Sequence, residues 1–242
     1  MLDGIKRWLG GAAKADSPEW QSIASWAEQH QYGLRWVPDE GFVVDGRLGA
    51  TPWRLEWGPS QRPYIQGQEV RLRSELGLGS DLQMLVMNRR LAEQMEKAVF
   101  DQYVEGVQTR LDNQTPPEMR WLVMFPKQTG AEMGPLKERW VALSSRKPWL
   151  MAWLDGPLAA QLQGLRVEEG VPVVLMIGRG RLMLRTPQAE PDVAQLQAWV
   201  RFAECAIREA RRVEAENPES GPQSEPPSVW QQSALPGSEH DR

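Results

Sequence analysis

A chain of 242 residues, 41% hydrophobic and 25% charged, has enough apolar mass to bury a core. Its longest apolar runs, such as residues 171–177, fall far short of the roughly 20 residues a membrane helix needs. Single Cys205 excludes an internal disulfide or cysteine cage, His30 and His240 exclude a multi-histidine metal site, and the net charge of −4 sits almost wholly in residues 214–242, leaving a near-neutral body with no electrostatic pull toward nucleic acid.

Residues 1–15 hold Leu2, Ile5, Trp8 and Leu9 around Lys6 and Arg7, a short amphipathic helical stretch stopped by Gly10-Gly11. The apolar stretch after Arg7 is shorter than a signal-peptide core, and packing on the body or simple fraying is the expectation. Ser17 is an N-cap with Pro18 and Glu19 in the first turn, and Trp20, Ile23, Ala24 and Ala27 form the stripe of a helix that Gly33 closes.

Strands follow. Residues 41–48 and 52–57 read as a hairpin around Gly49, with Trp53, Leu55 and Trp57 on one side and Arg54 and Glu56 on the other. In residues 69–76, Val70, Leu72 and Leu76 point inward, and Glu69, Arg71, Arg73 and Glu75 outward. Such alternation predicts an antiparallel sheet with one buried and one wet face. Residues 82–87 are apolar on both faces and read as a central strand. A helix is expected over 89–103, with Leu91, Met95, Ala98 or Val99, and Tyr103 on its stripe.

Thr115-Pro116-Pro117 marks a boundary within the domain. Residues 120–125 and 138–143 read as strands around a Gly-rich loop at 128–135. Residues 148–163 read as a helix interrupted at Gly156-Pro157. Residues 173–177 and 181–185 form a second hairpin. In the last helix, 191–214, Val193, Leu196, Trp199, Val200, Ala203, Ile207 and Ala210 make a 3.6-period face. The order predicts an α+β fold: an antiparallel sheet of two hairpins plus central strands, packed with about four helices. The domain spans 16–214, between the amphipathic segment 1–15 and an acidic Pro/Ser-rich tail, 215–242, of disordered composition.

The runs Gly41-Phe-Val-Val-Asp-Gly, Trp53-Arg-Leu-Glu-Trp, Glu69-Val-Arg-Leu-Arg, Val173-Val-Leu-Met-Ile and Arg181-Leu-Met-Leu, with the Ala-rich last helix, give a pattern over residues 20–212 that resembles uncharacterised bacterial α+β proteins. The resemblance implies a bacterial cytosolic protein. It brings no catalytic residue, ligand or cofactor.

Motifs for chemistry are scarce. Gly77-Leu-Gly-Ser-Asp81 lies between strands and reads as a turn rather than a phosphate loop. No Gly-x-Ser-x-Gly occurs. Cys205 sits mid-helix as packing, and His30 looks solvent-facing. Asp39-Glu40, Asp101 with Glu105, and Glu168-Glu169 are acid pairs in polar settings, where solvated charge is the default. Arg54, Arg71 and Arg73 share a sheet face with Glu56, Glu69 and Glu75, which points to cross-strand ion pairs rather than base recognition. Twelve tryptophans against four phenylalanines, spread over apolar positions, fit burial and G+C-rich codons.

The reading is a cytoplasmic, non-catalytic protein without cofactor or metal, acting by protein–protein binding and not on nucleic acid. The candidate contacts are Val229, Trp230 and Leu235 in the tail and Arg54, Arg71 and Arg73 on the sheet. Two alternatives stand beside it: a carboxylate- or metal-dependent enzyme acting on a small molecule, and a peripheral membrane adaptor using residues 1–9.

Overall fold

The computed structural model describes residues 18–38, 40–104, 115–128, 130–168 and 170–217. The expectations for segment 1–15 and for residues 218–242, with Val229, Trp230 and Leu235, fall outside that set.

Eight strands make one sheet in which every neighbouring pair is antiparallel: β1 (Gly33–Val37), β2 (Gly41–Leu48), β3 (Thr51–Pro59), β4 (Gln68–Glu75), β5 (Met84–Asn88), β6 (Trp140–Ser144), β7 (Val174–Gly178) and β8 (Arg181–Pro187), in the order β1-β2-β3-β4-β8-β7-β5-β6. The helices are α1 (Pro18–Gln29), α2 (Arg89–Val104), α3 (Pro117–Met124), α4 (Gly130–Met133), α5 (Lys147–Trp153), α6 (Pro157–Gly164) and α7 (Val193–Glu216), with a 3-10 turn at Gly134–Glu138. The fold is α+β with a single antiparallel sheet. Seven α-helices among the described residues exceed the expected four or so.

The register explains the core. Leu34, Val44, Leu55, Leu72, Leu184, Leu175, Val86 and Ala142 are successive cross-strand partners, one from each strand. Side chains alternate along each strand, so this row lies on one face. That face is apolar from edge to edge and is covered by Ile23 and Trp26 of α1, Leu150 and Trp153 of α5, Leu158 and Leu162 of α6, and Leu196, Val200, Ala203 and Ile207 of α7. A slip of one residue in any strand would turn its share of the row outward, so burial pins the register. Helix α7 begins where Asp192 Oδ1 accepts the Gln195 N–H at 2.7 Å, an N-cap. Trp153 Nε1 donates to the Ala206 carbonyl at 3.0 Å and ties α5 to α7.

The second face is continuously apolar on β5–β7 and part of β8. There Leu85, Met87, Val141, Leu143, Val174 and Met176 pack under Leu91, Met95 and Val99 of α2 and Met119, Trp121 and Leu122 of α3. Ala98, the alternative stripe position, is exposed.

Two elements differ from expectation. Of residues 120–125, read as a strand, 120–124 belong to helix α3 and Phe125 is its extended C-cap. Pro117 occupies its first turn, and Glu118, Met119, Trp121 and Leu122 are buried at the i, i+1, i+3, i+4 spacing of a helix face. The Trp121 ring lies over Gly178 of β7, where an added Cβ would stand 2.5 Å from it. Close approach of helix to sheet therefore overrides the strand-like propensity of this run. The other difference is β1. Gly33 starts this strand rather than only closing α1; Gln31, at φ 57°, makes the reversal between them. In the Gly-rich loop at 128–135, α4 and the start of the 3-10 turn form.

Trp53, Leu55, Val70 and Leu72 are buried together on the first face, and Trp57 is half-buried at its rim. Trp53 also donates to Glu204 Oε1 at 3.2 Å, and its ring packs directly on Gly46. Trp53→Ala should cost about 3–5 kcal/mol, read from the urea midpoint and slope. A loss below about 1 kcal/mol would contradict this packing.

Candidate binding site

On the second face, the strands β1–β4 carry charge where β5–β7 carry apolar groups. One cross-strand row runs Arg35, Val43, Glu56, Arg71, Arg185, and the next runs Asp45, Arg54, Arg73, Met183. Arg54 grips Asp45 with Nε at 2.6 Å and Nη2 at 3.1 Å. Arg73 meets Glu56 at 2.9 Å. Arg71 bridges Glu56 at 3.2 Å and Glu69 at 2.9 Å, and donates to the Pro59 carbonyl at 2.8 Å. The three arginines singled out in the sequence thus share one face, each paired with a carboxylate. Arg54–Asp45 and Arg73 are partly exposed, so each pair contributes little on its own, about 0–1 kcal/mol.

The boundary between the charged and apolar halves is built from buried charge. Glu69 is fully buried; its Oε1 accepts from Arg71 Nη1, from Arg185 Nη1 at 2.8 Å and from the Gln61 N–H at 3.0 Å. Glu118, also fully buried, brings α3 to the same region. Its Oε1 accepts from Arg62 Nε and from the Tyr64 hydroxyl, both at 2.5 Å. Burial, then the charge and hydrogen bond of Glu118, push the Tyr64 phenol far above its ordinary pKa. Arg62, Tyr64, Glu118 and Arg185 carried no signal in the sequence. Glu118 follows two prolines in a segment read as a boundary, and Arg185 is the last residue of the hairpin strand read over 181–185. Only the fold brings them within reach of β4.

The residues weighed for catalysis are placed as follows. Cys205 is buried in α7, and burial, then Glu209, raise its thiol pKa. His30 is exposed, its Nδ1 2.9 Å from the Trp26 carbonyl and its ring stacked on Tyr32. Glu40, Asp101 and Glu168 are exposed, while their partners in sequence, Asp39, Glu105 and Glu169, fall outside the described residues. Among the described residues, no group of three or more His, Cys, Asp or Glu side chains is placed to hold a metal ion. No described helix is long and apolar enough to cross a membrane.

The two edges of the sheet are treated differently. At β6, Lys127 bridges to Leu143 and the Gln128 N–H donates to the Ala142 carbonyl at 2.9 Å, so a loop blunts that edge. At β1, no described strand pairs with the outer edge. An aromatic cluster stands beside it. Half-buried Trp20 of α1 meets Trp36 of β1 edge-to-face at 4.6 Å, and buried Phe42 of β2 stacks on half-buried Trp57 of β3 at 5.6 Å. Trp36, Phe42 and Trp57 are cross-strand partners on the first face, so the row of rings runs inward from the open edge. On the second face the same edge displays exposed Arg35.

No family model and no curated protein matches the chain. Among solved structures, the mycobacterial trehalose monomycolate transport factor A is similar to it at a TM-score of 0.45 and 11% identity, over 80% of this chain and 93% of that one. A likeness at that level assigns no role to any residue.

The Tyr64 environment has a pH consequence. The folded state holds this proton more tightly than the unfolded chain, whose phenol ionises near pH 10. Its contribution is therefore present below about pH 10 and is lost as the pH climbs above it. Between pH 9 and 11 the urea midpoint of the native protein should fall more steeply than that of Tyr64→Phe. Parallel slopes would show that Tyr64 ionises freely in the folded state.

Proposed function

We infer that this chain is a non-catalytic, cytoplasmic binding protein that takes an extended segment of a protein partner along the outer edge of β1. The observation that carries the reading is the contrast between the sheet's two edges. One is blunted by residues 127–128, and the other meets no described strand and lies beside Trp20 and Trp36. An unpaired edge offers backbone donors and acceptors to an added strand, and alternate side chains of that strand then set specificity.

The chemistry of the added segment follows from the two faces. Side chains on the first face would meet Trp36 and Leu34, so they should be apolar. Side chains on the second face would meet Arg35 and continue the Arg–Glu lattice, so they should be acidic. Arg54, Arg71 and Arg73 support the segment as part of a lattice already neutralised by Asp45, Glu56 and Glu69. Tryptophan and arginine together are the residue types that dominate binding energy at interfaces.

A photo-reactive amino acid placed at Arg35 should give discrete partner adducts in the source cell, and one at exposed Lys97 of α2 should not. Adducts from both positions alike, or from Lys97 alone, would overturn the edge as the binding site.

A further inference from the structure

Away from β1, between residues 164–171 and the first half of α7, lies a cleft of about 780 Å³. Half-buried Leu165, Val167 and Val171 stand on one side of it, and exposed Ala198 and half-buried Trp199 of α7 on the other. All five keep accessible apolar surface, so an apolar side chain entering the cleft meets apolar walls on both sides. Arg166 and Glu168, on the wall opposite α7, carry one charge of each sign. Arg201, about one turn along α7 from Ala198, lines the same cleft.

From Arg201 a basic stripe runs down α7. Arg208 lies about two turns further on and so on the same face, with Arg211 beside it. All three arginines are exposed, and among the described residues none forms an ion pair. The acids of the same helix are engaged elsewhere. Glu204 accepts from Trp53 Nε1, Glu214 from Trp149 Nε1, and Glu209 and Glu216 from Arg212. The opposite charge lies in the chain that continues from the helix. Residues 218–242 carry Glu219, Glu225, Glu239 and Asp241 against one base, Arg242.

We propose that residues 218–230 fold back along α7, so that Glu219 and Glu225 pass Arg211 and Arg208 and the Trp230 indole seats in the cleft between Val167 and Trp199. Reach, charge and residue type together select this occupant. Trp199 lies about 26 Å back along the helix axis from Glu216, at about 1.5 Å per residue. Residues 217–230 span about 43 Å at about 3.1 Å each, in the extended form that Pro222, Pro226 and Pro227 favour. That length covers both the reversal at the helix end and the return. Glu225, at about two thirds of the path, then falls beside Arg208. An indole offers a large, rigid apolar area, and a tryptophan seated in a pocket is the kind of anchor that dominates a contact.

The test is made on the full chain by NMR of the indole N–H signals, with those of Trp199 and Trp230 identified by their loss in Trp199→Phe and Trp230→Phe. The Trp230 signal should stand away from the free-indole position, and Trp230→Ser should move the Trp199 signal. Arg208→Glu combined with Arg211→Glu, at exposed positions where substitution leaves the fold intact, should return the Trp230 signal to the free-indole position. Adding Glu219→Arg and Glu225→Arg to that variant should restore about half or more of the lost shift, because the pairs then meet with their signs exchanged. The native shifts should survive about tenfold dilution, since a contact within one chain has a fixed effective concentration. A Trp230 signal at the free-indole position in the native chain, or a Trp199 signal unmoved by Trp230→Ser, would overturn the proposal. So would charge reversal without effect or without rescue, and so would shifts lost on dilution, which would place the tail on a second copy.

Discussion

Glu69 is the charge on which the second face of the sheet turns. On one side of it the strands present Arg71, Glu56 and Arg54; on the other they present Met183, Val174 and Leu85 under two helices. At the boundary Arg71 and Arg185 are opposed in register and would repel each other. Glu69 Oε1 takes a hydrogen bond from both guanidinium groups and so converts a like-charge pair into a three-residue bridge. Arg185 and Glu69 are both buried, and removing one would leave the other as uncompensated buried charge. A second boundary pair, Arg62 with Glu118, fastens the 60–65 loop to α3 and so fixes where the helical cover stops.

From that boundary the rest follows by packing. The first face needs no charge, because its row of apolar partners is continuous over all eight strands and four helices lie across it. Among the described residues the second face is covered by α2 and α3 where it is apolar. No described helix lies over its charged half, which leads to the sheet edge where β1 has no described strand beside it. The binding surface inferred for β1 is therefore a consequence of where the cover ends, not a separate device.

Alternation made half of this legible in the sequence. Trp53, Leu55, Val70 and Leu72 declare the inner face, and Arg54, Arg71 and Arg73 the outer, because a period of two is a local property. The hairpins and the long stripe of α7 are local in the same sense. What escaped was set by distant partners. Residues 120–125 have strand-like composition, yet Trp121 settles over Gly178 and the segment is helical as far as Met124. β1 has its own alternation in Leu34, Arg35 and Trp36, but the Gly33 signal for a helix end masked the start of a strand. The Glu118–Arg62–Tyr64 contact joins residues more than 50 positions apart. No spacing rule reaches it.

The claim that Glu69 and Arg185 hold the seam as a bonded pair is tested most directly by a double-mutant cycle in urea denaturation with Glu69→Gln, Arg185→Met and the two combined. Each single change should destabilise by about 3–5 kcal/mol. The double variant should lose less than the sum of the two, with a coupling of about 1–3 kcal/mol. Additive losses, within about 0.5 kcal/mol, would show that the two charges are held independently and would contradict the account.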